Sequence, residues 1–157
     1  MSNPATVIVV DDEEMVLTSV RAFLSLETEY NIQTFTEPER AAEFMEKNPF
    51  EVVVADYLMP RMNGLELLAR ARQLYPEAPR ILLTGHADKQ SAIHAINQVA
   101  LYHYLEKPWE NEQLLLIVNS AVERAQLFRE LQEKIAQLAV ANVSLREVQK
   151  KLLKAFL

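Results

Sequence analysis

The 157 residues carry a net charge of −6, are 50% apolar and 24% charged, and contain no cysteine. The missing thiols exclude disulfides and thiolate metal sites, and the acidic balance argues against a nucleic-acid footprint. No apolar run approaches the roughly 18 residues that cross a bilayer, and the N-terminus lacks a secretory pattern, so the expectation is a soluble, cytoplasmic chain of one domain with a remainder.

Thr6 to Val10 is a mostly β-branched apolar run that meets four acids, Asp11 to Glu14. Such a run reads as a strand buried on both faces, in the middle of a parallel sheet. Four adjacent carboxylates repel one another and lose hydration, so a cation is expected to meet them. The plainer alternative is that they cap and charge the start of the next helix. Residues 13–26 then place Val16, Val20, Phe23 and Leu24 on one helical face. Asn31 to Phe35 alternates polar and apolar, as a half-exposed strand near a sheet edge does. Pro38 opens a helix with Ala41, Phe44 and Met45 inward, ending near Asn48 and Pro49.

Residues 51–56 repeat the opening pattern, an apolar strand ending on Asp56. A loop to Gly64 leads into a helix over 65–75 with Leu68, Ala71 and Tyr75 on one face. Arg80 to Gly85 is a strand, 88–98 a helix with Ala92, Ile93 and Ile96 inward, and 101–105 a short strand closed by Glu106, Lys107 and Pro108. Five alternations with short connections imply right-handed crossovers and a doubly wound five-stranded parallel α/β sheet.

In such sheets ligands sit outside the carboxyl ends of the strands. Those ends bring together Asp11, Asp12, Asp56, Thr84 with Gly85, and Lys107. Clustered carboxylates suit a hard divalent cation such as Mg²⁺, which also accepts phosphate oxygens. One Asp can then act as a phosphoryl-accepting nucleophile, with a lysine and a hydroxyl holding the phosphoryl oxygens. Taken singly, Thr84 and Lys107 are ordinary turn and surface residues; their joint placement on successive strand ends carries the reading.

The sequence resembles the receiver domain of two-component response regulators over roughly residues 4–125. The resemblance rests on Asp11-Asp12-Glu13, Asp56 followed by Met59-Pro60 and Asn63-Gly64, Thr84-Gly85, and Lys107-Pro108. It implies a flavodoxin-like sheet of order 2-1-3-4-5, for which a member of this family is a standard example. It also implies that Asp56 accepts a phosphoryl group from a histidine kinase. Mg²⁺ would be bound by Asp12, Asp56 and the Leu58 backbone carbonyl, and by Asp11 through water. Lys107 would pair with the phosphoryl group across a cis bond to Pro108, while Thr84 shifts toward it and Tyr104 turns inward. Such a domain is a phosphoacceptor with slow self-dephosphorylation, not a turnover enzyme. Leu58 and His86 lie beside the path of an attacking water, and apolar Leu58 would lengthen the life of the aspartyl-phosphate. The alternative is a Mg²⁺-dependent phosphatase or phosphotransferase with an Asp nucleophile.

From Asn111 onward there is neither Gly nor Pro. Residues 1–122 are assigned to the receiver and 123–157 to a coiled-coil linker helix. With Phe128 at heptad position a, the seam reads Phe128, Leu131, Ile135, Leu138, Asn142, Leu145, Gln149, Leu152 and Phe156. Four Leu at d with Asn142 at a suit a parallel two-stranded homodimer. Apolar e and g positions widen the stripe, which also suits a four-helix arrangement. The chain ends in mid-pattern, so a covalently linked output domain beyond it is expected. The segment Tyr102 to Trp109 resembles regulators with a cyclic-dinucleotide phosphodiesterase output.

Overall fold

The computed structural model describes residues 3–156, apart from the side chains of His86, residues 94–98 and Phe156. Five strands, β1 (Thr6–Val10), β2 (Asn31–Phe35), β3 (Val52–Asp56), β4 (Arg80–Thr84) and β5 (His103–Glu106), alternate with α1 (Glu14–Glu27), α2 (Pro38–Lys47), α3 (Gly64–Leu74), α4 (Lys89–Val99) and α5 (Asn111–Phe156). All pairings are parallel, in the order β2-β1-β3-β4-β5. The strand order reverses between β1 and β3, which places a crevice at their carboxyl ends.

Burial follows from composition. β1, β3 and β4 are buried almost throughout, as unbroken apolar runs require. β2 is partly exposed at one edge. Alternating side chains feed two cores. Val7, Val9, Val54, Ile81 and Leu83 meet α1 and the first turns of α5 on one face. Ile8, Val10, Val53, Ala55 and Leu82 meet α2 and α3 on the other.

Several local expectations shift. In α1 the fully buried apolar residues are Leu17, Val20 and Leu24, with Val16 and Phe23 only partly covered. Helix α4 begins at Lys89 after a short 3-10 turn over His86–Asp88. Its Ala92 is buried, but Ile93, about 100° further round the helix, is exposed rather than inward. The expected inward Ile96, the His86 side chain and the Phe156 seam position lie outside the described residues. β5 starts at His103, because Leu101 and Tyr102 complete the turn from α4.

The chain divides into two compact units, Met1–Ala125 and Gln126–Leu157. In the first, α5 buries Leu114, Ile117, Val118, Ala121, Val122 and Ala125. The second is helical, and its Phe128, Leu131, Ile135, Leu138, Leu145 and Leu152 are all exposed. No helix among the described residues is long and apolar enough to cross a membrane.

Candidate functional site: a carboxylate and lysine cluster at the sheet rim

Asp11, Asp12, Asp56, Thr84 and Lys107 each stand at or just past the carboxyl end of a strand, and Tyr104 lies within β5. Asp11 follows β1 and is fully buried, its backbone N–H donating to Phe35 O at 3.1 Å. Its Oδ1 accepts from Glu13 N–H at 2.9 Å. Helix α1 has Glu13 as its N-cap, without a side-chain capping bond. Capping therefore does not account for Asp11 and Asp12, and Asp12 is exposed. Asp56 ends β3 and is buried.

Lys107 links the group. It follows β5, its N–H donates to Thr84 O at 2.8 Å, and its bond to Pro108 is cis, as the resemblance implied. Its Nζ lies 2.9 Å from Asp11 Oδ2, where it donates, and 3.4 Å from Asp56 Oδ1. Glu13 Oε1 is 3.9 Å away but well exposed, so water screens that contact. Asp11, Asp12 and Asp56 each bring a carboxylate oxygen within 4.8 Å of the others.

This crowding sets the acid–base balance. Burial, then the charge of Asp11, pushes the Asp56 carboxyl up from 3.8 to about 6. Lys107 pulls the other way, and Asp12 adds a small upward push. For Lys107, burial is the largest single influence and disfavours the ammonium. The hydrogen bond and charge of Asp11, with those of Asp56, together outweigh it, so its pKa is raised. At neutral pH the Lys107 ammonium and the Asp56 carboxylate are thus both charged. Three carboxylates held against one ammonium are all hard oxygen donors, and that donor set fits a Mg²⁺ ion.

Thr84, at the end of β4, is fully buried, and its Oγ1 finds no hydrogen-bond partner among the described residues. A buried orphan hydroxyl costs about 1–3 kcal/mol, so it marks a place where an acceptor is missing. Tyr104 on β5 is partly buried against the α2/α3 core. Leu58, two residues past Asp56, is exposed.

Gly64 shapes the rim for a reason the sequence concealed. A Cβ there would stand 2.2 Å from Asp56 O. The start of α3 therefore presses directly on the backbone of Asp56. Asn63 holds that start by accepting from Glu66 N–H at 2.9 Å.

Residues 7–119 match the family described as the response regulator receiver domain. The chain belongs to that family. HoxA, a hydrogenase transcriptional regulatory protein of Cupriavidus necator, is 31% identical over 143 residues, covering 91% of this chain and 29% of HoxA. A putative NtrX-like response regulator of Rickettsia bellii is 32% identical over 79% of this chain and 26% of its own length. The receiver thus spans under a third of these relatives. Among solved structures, the signal receiver domain of an HD domain-containing protein from Pseudomonas fluorescens is 32% identical. Its TM-score is 0.73, with 79% of this chain and 98% of that one covered. Receivers are regulatory phosphoacceptors, and this membership gives the hydrolase alternative no support. The relatives named as transcriptional regulators likewise lend none to a phosphodiesterase output.

Proposed function

We propose that this receiver is a phosphorylation-operated switch in which Asp56 takes a phosphoryl group from the phosphohistidine of a kinase. The observation that carries the reading is Lys107 Nζ, held between the carboxylates of Asp11 and Asp56, together with the orphan hydroxyl of Thr84 at the end of β4. Asp12, Asp56 and the Leu58 carbonyl would hold Mg²⁺, with Asp11 acting through water. The bound ion would offset the charge gathered between carboxylates and phosphoryl oxygens. An Asp56 oxygen forms the O–P bond as the N–P bond of the phosphohistidine breaks, its electron pair returning to the imidazole. Lys107 turns part of its hydrogen bonding to the new phosphoryl oxygens, and the Thr84 hydroxyl gains its missing acceptor. Tyr104 then turns inward behind Thr84. The exposed heptad seam from Phe128 to Leu152 supports a coiled-coil homodimer, and the short span against the relatives supports an attached output domain.

Labelling with a small phosphodonor and Mg²⁺ tests the reading. One phosphoryl group per chain is expected, and none in Asp56→Asn. Undiminished labelling of that variant would overturn the assignment of the acceptor. The apolar Leu58 predicts slow hydrolysis after donor removal, and decay within seconds would contradict it.

A further inference from the structure

Helix α5 is fastened to the receiver from both sides. Its buried stripe runs through Leu114, Ile117, Val118, Ala121, Val122 and Ala125. At about 100° per residue, Asn119 falls on one flank of that stripe, and Ser120 and Arg124 on the other. Tyr30, just before β2, donates its hydroxyl to Asn119 Oδ1 at 2.7 Å. Tyr102, just before β5, is hydrogen-bonded through its hydroxyl to Ser120 Oγ. The Arg124 guanidinium sits over the same Tyr102 ring, 5.3 Å from its centroid. β2 and β5 are the two edges of the sheet. A tyrosine from each edge therefore grips adjacent residues of one helix from opposite flanks.

Apolar packing along a stripe resists separation, but being non-directional it sets no preferred angle against a small roll. Two directional hydrogen bonds on opposite flanks do resist it, since any roll lengthens one of them. The Tyr102 limb is coupled to the strands as well. Its N–H donates to Arg80 O at the start of β4, and it lies two residues before Tyr104. Helix α5 runs without a break to Phe156.

We propose that Tyr102, opposed by Tyr30, is the positioning residue through which β5 sets the roll of α5, and so the state of the seam residues beyond it. This rests on the reading of Asp56 and Tyr104 given above. When Tyr104 turns inward, β5 moves, Tyr102 carries Ser120 and Arg124 with it, and the Tyr30 limb serves as the fixed pivot.

Because the chain has no cysteine, a single Leu138→Cys in the full chain reports on the tail through thiol crosslinking. The yield is measured with and without beryllofluoride, beside phosphoryl uptake at Asp56. In the parent, beryllofluoride is expected to change the yield. In Tyr102→Phe, and equally in Ser120→Ala, that change falls by about fivefold or more, the low end of ordinary coupling between sites. Uptake stays as in the parent, and Ser120→Thr restores the response. Tyr30→Phe loses one hydrogen bond of the same kind and serves as a stability control, with the same melting temperature as Tyr102→Phe. An unchanged response in Tyr102→Phe and Ser120→Ala overturns the clamp, as does a parent tail that ignores beryllofluoride while uptake is normal. Failure of uptake in the parent instead overturns the receiver reading beneath it.

Discussion

Asp56 and Thr84 both sit in folded surroundings that disfavour them. With the metal chelated, Asp56 holds its proton to about pH 6, whereas the unfolded carboxyl releases it near its ordinary 3.8. Between those values the folded chain binds more protons, so stability falls as pH rises through the window and is level above it. Melting temperatures taken across that window are expected to fall in the parent and stay flatter in Asp56→Asn. Equal slopes would mean the carboxylates do not strain each other. For Thr84→Ala, removing the orphan hydroxyl is expected to leave stability unchanged or raise it by about 1 kcal/mol in denaturant titration. A loss of several would mean that the hydroxyl is satisfied. Gly64→Ala should cost about 1–3 kcal/mol or more, because its methyl meets the Asp56 carbonyl and not a movable side chain.

At the level of elements, what could be read in advance depended on whether a signal was local. The strands were plain, because β-branched runs ending on Asp11 and Asp56 leave little choice. Because strands end where they do, the sequence alone places Asp11, Asp56, Thr84 and Lys107 at one rim. The turn after α4 was opaque. It has no glycine, and Ala100 adopts φ 50°. The support comes from across the fold. Arg80, buried at the start of β4, donates to Val99 O, Ala100 O, Pro76 O and Ala78 O at 2.9–3.1 Å. Burial, and after it the charges of Arg72 and Arg124, lower its pKa from the ordinary arginine value. A cation whose described hydrogen bonds all go to carbonyls has no sequence signature, since its partners come from two separate turns. Arg80→Met should cost about 2–4 kcal/mol by stranding those carbonyls. Ala100→Gly should return about 1 kcal/mol by relieving the left-handed backbone; calorimetry on both variants checks the pair.

On the scale of the whole chain, two units call for two separable tests. Leu138→Asp places a charge in the exposed seam of the second unit. It is expected to abolish self-association in sedimentation while Asp56 takes up phosphate as before. Loss of uptake in a folded variant would contradict their independence. The heptad pattern is legible in the sequence itself, and the described residues that carry it are helical and exposed. Its strand number was not, because the apolar e and g positions fit more than one bundle.

Lys107 is already seated against Asp11 with its backbone locked to β4. A cationic host fixed in place before its guest arrives has little solvent or side-chain rearrangement left to complete during the reaction. Such a host does not depend on an escorting protein to be shaped for the chemistry. On the proposed assignment of Asp56 as the acceptor, small anhydride donors should therefore be able to charge it unaided.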